Sequence, residues 1–210
     1  MPVFQEGKAN APAWSELEIF FFEYVKKGEE KTIMWRGPKE RYVSIEGAAA
    51  VVYGGKIHII KRGEFFDIPS GSECVISTSD EYAGVCRCCG NWGAELGGTG
   101  LFPVFKADDP VNSGDPADYF RNASFDNHYH DCDEYWIIFQ GGGVAYSENK
   151  RFEVKAGDCV ATGRGYHHDF PVCSETVCAV FLETTLVGQK RIGHLWEHTH
   201  GKPALEPGRV

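Results

Sequence analysis

HYHDCDEYW, residues 128–136, sets His128 and His130 one residue apart and places Glu134 four residues further on. Residues i and i+2 of a strand share a face, so both imidazoles can aim into one cavity. A turn or bulge after His130 would return Glu134 to the same side. Downstream, His167 and His168 offer a fourth group, and because adjacent strand residues face opposite ways only one of the two can join the others. Burying such a set without a shared partner would be costly, which argues for a bound metal. Three imidazoles and one carboxylate form a borderline-hard donor set, suited to one divalent transition metal ion among Mn, Fe, Ni, Co and Zn.

The stretch lies in a frame that occurs twice. Glu134, Gly141, Gly157, Gly165 and His168 stand 94 positions after Glu40, Gly47, Gly63, Gly71 and Cys74. Pro69 marks the same frame in the first half, at the position matching Gly163. Within each copy the runs are short and β-rich. RYVSIEG and YWIIFQG end at glycine; AAAVVYGGKIHII and GGVAYSENKRFEV read as hairpins turning at GG and SENK. Short strands at regular spacing, with no long helical period, predict antiparallel barrels or jelly rolls.

The second half resembles the cupin superfamily. His128, His130, Glu134 and Gly141 are similar to the family's first motif, and Gly157, Gly165 and His168 to its second, with Gly163 where proline is usual. The resemblance implies an all-β chain of two tandem double-stranded β-helix barrels, the first degenerate. It implies metal ligation by His128, His130, Glu134 and His168, the family spacing selecting His168 over His167. The first copy keeps only Glu40, with Met34, Arg36 and Cys74 at the other positions. An Arg36–Glu40 ion pair is expected where a metal would sit, in a barrel serving as scaffold or subunit interface. The expected layout is a degenerate barrel at 1–95, a linker at 96–117, a metal-binding barrel at 118–185 and a solvated tail at 186–210.

Composition narrows the function. The 210 residues carry a formal charge of −9, and no basic run is long enough to track phosphates, so nucleic acid is an unsuitable partner. No apolar run reaches the ~20 residues that span a bilayer, and the first residues lack the pattern of an export signal. A cytoplasmic location and no membrane partner are expected. Of eight cysteines, Cys86, Cys88 and Cys89 cluster and read as reduced, half-buried strand residues.

A set of three imidazoles and a carboxylate leaves exchangeable positions on a metal preferring five or six ligands, which favours chemistry over a purely structural role. His167, Tyr146 and Trp136 are the candidate catalytic or cavity-lining residues. Asp126, Asp131 and Asp133 are candidates to hold a ligand's second nitrogen, and His194, His198 and His200 are read as solvated tail residues or as a cover over the barrel mouth that supplies an acid/base histidine to the cavity. The leading expectation is an isomerase, epimerase or lyase acting on a small oxygenated substrate, a sugar, sugar acid or hydroxy acid. An Fe(II) dioxygenase and a non-catalytic sensor are the alternatives. Pairing through sheet edges makes a homodimer plausible.

Overall fold

A computed structural model of the chain describes residues 2–68, 71, 73–110, 114–186 and 191–210. The elements run β1 (Val3–Gln5), β2 (Leu17–Lys26), β3 (Glu30–Met34), β4 (Lys39–Glu46), β5 (Ala49–Tyr53), β6 (Lys56–Ile60), β7 (Phe65–Ile68) and β8 (Glu73–Ser77). They continue with β9 (Tyr82–Gly90), β10 (Leu96–Val104), β11 (Glu134–Gln140), β12 (Gly142–Ser147), β13 (Lys150–Lys155), β14 (Asp158–Thr162), β15 (His168–Cys173), β16 (Val177–Thr185) and α1 (Glu197–His200). All strand pairings are antiparallel, as the sequence predicts, and no described helix is long and apolar enough to cross a membrane.

The chain divides into two compact units. One comprises Met1–Gln5, Pro12–Ser15 and Gly93–Val210, the other Glu6–Ala11 and Glu16–Trp92. The C-terminal unit has one sheet ordered β1-β14-β11-β16-β10 and another ordered β13-β12-β15; the N-terminal unit has β2-β9-β4-β7 and β3-β8-β5-β6. The apolar run of β11 belongs to a central strand between β14 and β16, and successive residues Tyr135–Ile138, which point to opposite faces, are all buried. The strand's inward residues Trp136 and Ile138 join Ala145, Val154, Val160 and Phe170 in one core. Tyr42, Val51, Ile60, Ile68, Ile76 and Val85 build the corresponding core of the N-terminal unit.

The 94-residue offset reappears in strand register. Glu40 pairs with Ile68 and Cys89, and Glu134 pairs with Thr162 and Glu183. The bulge between Ser44 and Glu46 on β4 recurs between Ile138 and Gln140 on β11. The β5–β6 hairpin turns on Gly54 and Gly55, with φ of 57° and 73°; the β12–β13 hairpin turns on Glu148 and Asn149, with φ of 47° and 63°. Both loops hold two residues in the left-handed region, as the favoured two-residue hairpin turn requires. Pro69, the remaining landmark of the first copy, lies outside the described residues.

Three boundaries differ from the sequence expectation. β1 pairs with β14 and so belongs to the C-terminal unit. The stretch expected as a linker from 96 contains β10, a nine-residue strand on β16. Its glycines read as loop signals, but they sit where side chains of β16 lie across the strand: a Cβ on Gly97 would come 2.4 Å from Glu183 Oε2, and one on Gly100 2.8 Å from Phe181 Cε1. The tail is docked rather than solvated. Leu195 is buried and exchanges backbone hydrogen bonds with Tyr129, and the Tyr129 hydroxyl donates to Gly201 O at 2.6 Å. The tail also accounts for glycine at 163: a Cβ there would lie 2.3 Å from Arg209 Cβ.

All eight cysteines are free, and Cys86, Cys88 and Cys89 on β9 are fully rather than half buried. Their strand is covered on both sides in its sheet, between β2 and β4.

Candidate metal centre

His128 and His168 face each other across a backbone bridge, His128 N donating to His168 O at 3.1 Å and His168 N to His128 O at 2.8 Å. His130 follows on the same face, and its carbonyl is held by Gly165 N at 2.9 Å. Glu134 opens β11. One ligand atom from each of His128, His130, Glu134 and His168 lies within 4.8 Å of the others, and all four residues are buried.

Hydrogen bonds set the imidazole tautomers. His128 Nδ1 lies 2.9 Å from the Asp126 carbonyl and His168 Nδ1 2.9 Å from the Tyr166 carbonyl. A carbonyl only accepts, so each Nδ1 carries the proton and each Nε2 presents a lone pair inward. The second-nitrogen partner of His128 is thus the Asp126 backbone, not its carboxylate. Asp131 accepts from Arg191 N at 3.2 Å, and Asp133 from Arg164 N at 2.9 Å and from the Arg209 guanidinium. His168 Nε2 lies 2.8 Å from Glu134 Oε2 and His130 Nε2 lies 3.3 Å from the same oxygen. His128 Nε2 and His130 Nε2 are sealed from solvent without a hydrogen-bond partner. Two orphaned lone pairs beside a buried carboxylate fit a cation.

The electrostatics agree at three of the four groups; at His130, burial works to lower the imidazole, but Glu134 and Glu183 outweigh it and raise it. Burial, and then the neighbouring imidazoles, hold His128 well below the ordinary histidine range. Burial also lowers His168, against the pull of Glu134. Burial works to raise Glu134, but His130 and His168 outweigh it and keep the carboxyl well below its usual range. Neutral imidazoles and an ionised carboxylate are the forms that ligate metal.

A cavity of about 460 Å³ adjoins this cluster. Trp136 lines it, with its ring centroid 5.1 Å from that of His168. His167 and Tyr146, the other candidate catalytic residues, line a different surface cleft. Ala145 packs in the core, so alternation turns Tyr146 outward, where it lies 4.2 Å from Tyr119. His167 Nε2 is 3.0 Å from Asp115 Oδ2, on the face opposite its neighbour His168.

Of two further residues at the cavity, Glu183 was not a sequence candidate for catalysis, and His194 was one only as a tail histidine closing the barrel mouth. Glu183 on β16 lines it, 3.5 Å from His130 Nδ1. His194, read as solvated or as a cover, stacks on His128 at 3.6 Å with 5° between the planes. Its Nδ1 lies 2.9 Å from Asp126 Oδ1, and Trp196 Nε1 donates to the same carboxylate at 2.7 Å. His198 instead holds Asp115 at 2.8 Å, and His200 accepts from Trp196 N at 3.0 Å.

In the N-terminal unit the expected Arg36–Glu40 ion pair is replaced by another. Arg87 binds both Glu40 oxygens, at 2.9 and 2.5 Å, and the Tyr42 hydroxyl donates to Oε2 at 2.7 Å. Arg36 gives Glu40 only its backbone N–H, at 2.6 Å, while its guanidinium lies over Phe21. Met34 is exposed and Ile33 takes the inward place on β3. Cys74 is buried, its thiol 3.4 Å from the Tyr42 hydroxyl.

No family model matches the chain. A curated relative, the uncharacterized protein y4oW of Sinorhizobium fredii, is 39% identical over 213 residues, covering 100% of this chain and 97% of that protein. Among solved structures, YhaK from Escherichia coli aligns with a TM-score of 0.55 at 11% identity, covering 87% of this chain and 92% of its own. The formate complex of Lactobacillus farciminis oxalate decarboxylase aligns with a TM-score of 0.53 at 10% identity, covering 80% and 77%. An IolB-like protein from Salmonella typhimurium aligns with a TM-score of 0.50 at 15% identity, covering 86% and 88%. At these identities the structural likeness concerns the fold.

Proposed function

We propose, from the premise that this chain belongs to the family of the Sinorhizobium fredii y4oW protein and to the cupin superfamily, that it is a metal-dependent enzyme acting on a small oxygenated substrate. The observation that carries the reading is the pair of orphaned nitrogens, His128 Nε2 and His130 Nε2, converging with His168 Nε2 on the Glu134 carboxylate. His128, His130, Glu134 and His168 would hold one divalent transition metal. When bound, such an ion supplies Lewis-acid polarisation of substrate oxygens.

The chain's own groups do the rest. The Asp126 and Tyr166 carbonyls keep His128 and His168 oriented, so their lone pairs need no reorganisation. Phe102, Phe125, Trp136 and Phe181 exclude water from the inner end of the cavity. Glu183 and His194 are the groups beside the cluster able to take or give a proton, with Asp126 holding His194 in place. A carboxylate and an imidazole on one cavity suit proton transfer next to a polarised carbonyl, which favours isomerase, epimerase or lyase chemistry over an oxidative reaction.

Elemental analysis of protein purified without added metal is expected to find about one transition-metal ion per chain. His130→Ala and Glu134→Ala should each abolish uptake while the far-ultraviolet circular dichroism stays that of a β protein. Wild-type protein that takes up no transition metal even on reconstitution would overturn the reading. Oxygen consumption coupled to substrate turnover would replace the non-oxidative assignment with a dioxygenase.

A further inference from the structure

The tail grips both stretches of chain that carry the clustered residues. His128 and His130 flank Tyr129, whose N–H and carbonyl each pair with the backbone of Leu195 at 3.0 Å. His168 follows the turn 163–165, which leads from β14 to β15. That turn is bonded to the first motif: Gly165 N donates to His130 O at 2.9 Å, and Arg164 N to Asp133 Oδ1 at 2.9 Å. The end of the tail holds the same turn. Glu206 N donates to Arg164 O at 3.2 Å, and the Arg164 guanidinium pairs with the Glu206 carboxylate. The approach leaves no room for a side chain, since a Cβ on Gly165 would come 2.7 Å from Ala204 O.

These contacts meet at Asp133, which is buried and directly precedes Glu134. Its Oδ1 holds Arg164 N, its Oδ2 takes the Arg209 guanidinium, and its carbonyl accepts from Thr184 N at 2.9 Å. One side chain therefore ties the residue before Glu134 to the turn before His168, and a cation from the tail balances it. Removing that cation would leave a buried carboxylate without its partner, which is costly. The carboxylate's way out is to swing toward water. That movement displaces the backbone of Glu134 and releases Arg164 N, so two segments of the cluster lose their common anchor.

Resting on the metal-dependent reading above, we infer that Arg209 is a positioning residue for the metal centre: through Asp133 it fixes the place of Glu134 relative to the turn that delivers His168. Groups that orient metal ligands in this way set affinity although they touch no metal. The coupling is reciprocal, so a bound ion should in turn tighten the end of the tail.

The test uses the full-length protein. Zinc affinity is read by competition with a chromophoric chelator, and ligand geometry by the visible spectrum of the cobalt(II) form. Arg209→Met is expected to weaken zinc about tenfold and to alter the cobalt spectrum, and Arg209→Lys to restore most of both. Asp133→Asn should show a similar loss, because its amide no longer draws Arg209 in, and adding Arg209→Met to it should cost nothing more. Zinc should slow hydrogen exchange of the Glu206 amide in the wild type but not in Asp133→Asn. His198→Ala, which loosens the tail at Asp115 instead, should leave zinc affinity unchanged. Wild-type affinity and spectrum in Arg209→Met would overturn the inference; if that variant fails to fold, wild-type affinity in Asp133→Asn does so. Equal losses in His198→Ala and Arg209→Met would also overturn it, since tail order in general would then be the cause. Absence of metal uptake by the wild type is a different failure: it removes the metal-dependent reading, and the role of Arg209 with it.

Discussion

Glu40 and Glu134 pair at equivalent places in β4 and β11, and their surroundings differ. Around Glu134 stand imidazoles with unspent lone pairs; around Glu40 stands the Arg87 guanidinium, whose buried ion pair closes the site. Burial works to raise the Glu40 carboxyl, but Arg87 and Tyr42 together bring it below its ordinary value. Arg87→Met therefore leaves a buried carboxylate without its partner and is expected to destabilise the protein by about 3–5 kcal/mol in urea titrations. The double variant Glu40→Gln, Arg87→Met should be less destabilised than the single one, because the lone charge is gone. Position 87 matches Phe181 in the other copy, so nothing in the first motif indicates that a cation enters from β9. His128 and His130 were legible because strand alternation puts them on one face, while Glu134 and the choice of His168 over His167 followed from the resemblance to the cupin motifs. Glu183 was not legible, since it depends on which strand pairs with β11; His194 was legible only as one tail histidine among others, since its place depends on where the tail docks. Tyr146 was misassigned for want of one reference point, the inward side of Ala145.

At the scale of elements, local composition points to loop for β10 and to a solvated segment for the tail, while tertiary contacts decide both. Glycine-rich β10 is a strand because Phe181 and Glu183 need the space a Cβ would fill. The polar tail is ordered because Asp115 ties it down, accepting from Glu197 N at 2.8 Å and meeting His198 Nδ1 at 2.8 Å, beside His167 Nε2 of the barrel at 3.0 Å. Burial works to raise Asp115, and these hydrogen bonds more than offset it, lowering its value. A lowered folded value means that the contribution is complete above the ordinary aspartate range, near pH ~3.9, and is lost as pH falls through the folded value. Asp115→Asn should therefore speed hydrogen exchange at residues 197–201 at neutral pH. In the wild type the same acceleration should appear only in acid.

For the whole molecule, the constant offset was the most legible feature, since it survives in matched registers and a matched bulge. It also fixes where a metal can act. Its proposed ligands all belong to the C-terminal unit, while the N-terminal unit has its own core around Tyr42 and Ile76. Chelator-treated protein is expected to remain folded. Metal at a hundredfold its dissociation constant should stabilise the C-terminal unit by about 2.7 kcal/mol, read as slower exchange of β11 and β15 amides with β4 and β8 unchanged. Slowing in both sets would show that the units unfold together.

One edge strand of the sheet that carries Glu134 is contributed by Val3–Gln5, docked on β14. In chain order this triplet lies far ahead of β14, so this edge of the sheet closes only after β14 has been made. Without Val3–Gln5, β14 would present a naked rim, of the kind that recruits foreign chains. A fragment cut at residue 93 would carry that vulnerability permanently, and fusing Met1–Gln5 to it through a short spacer is the repair the topology recommends.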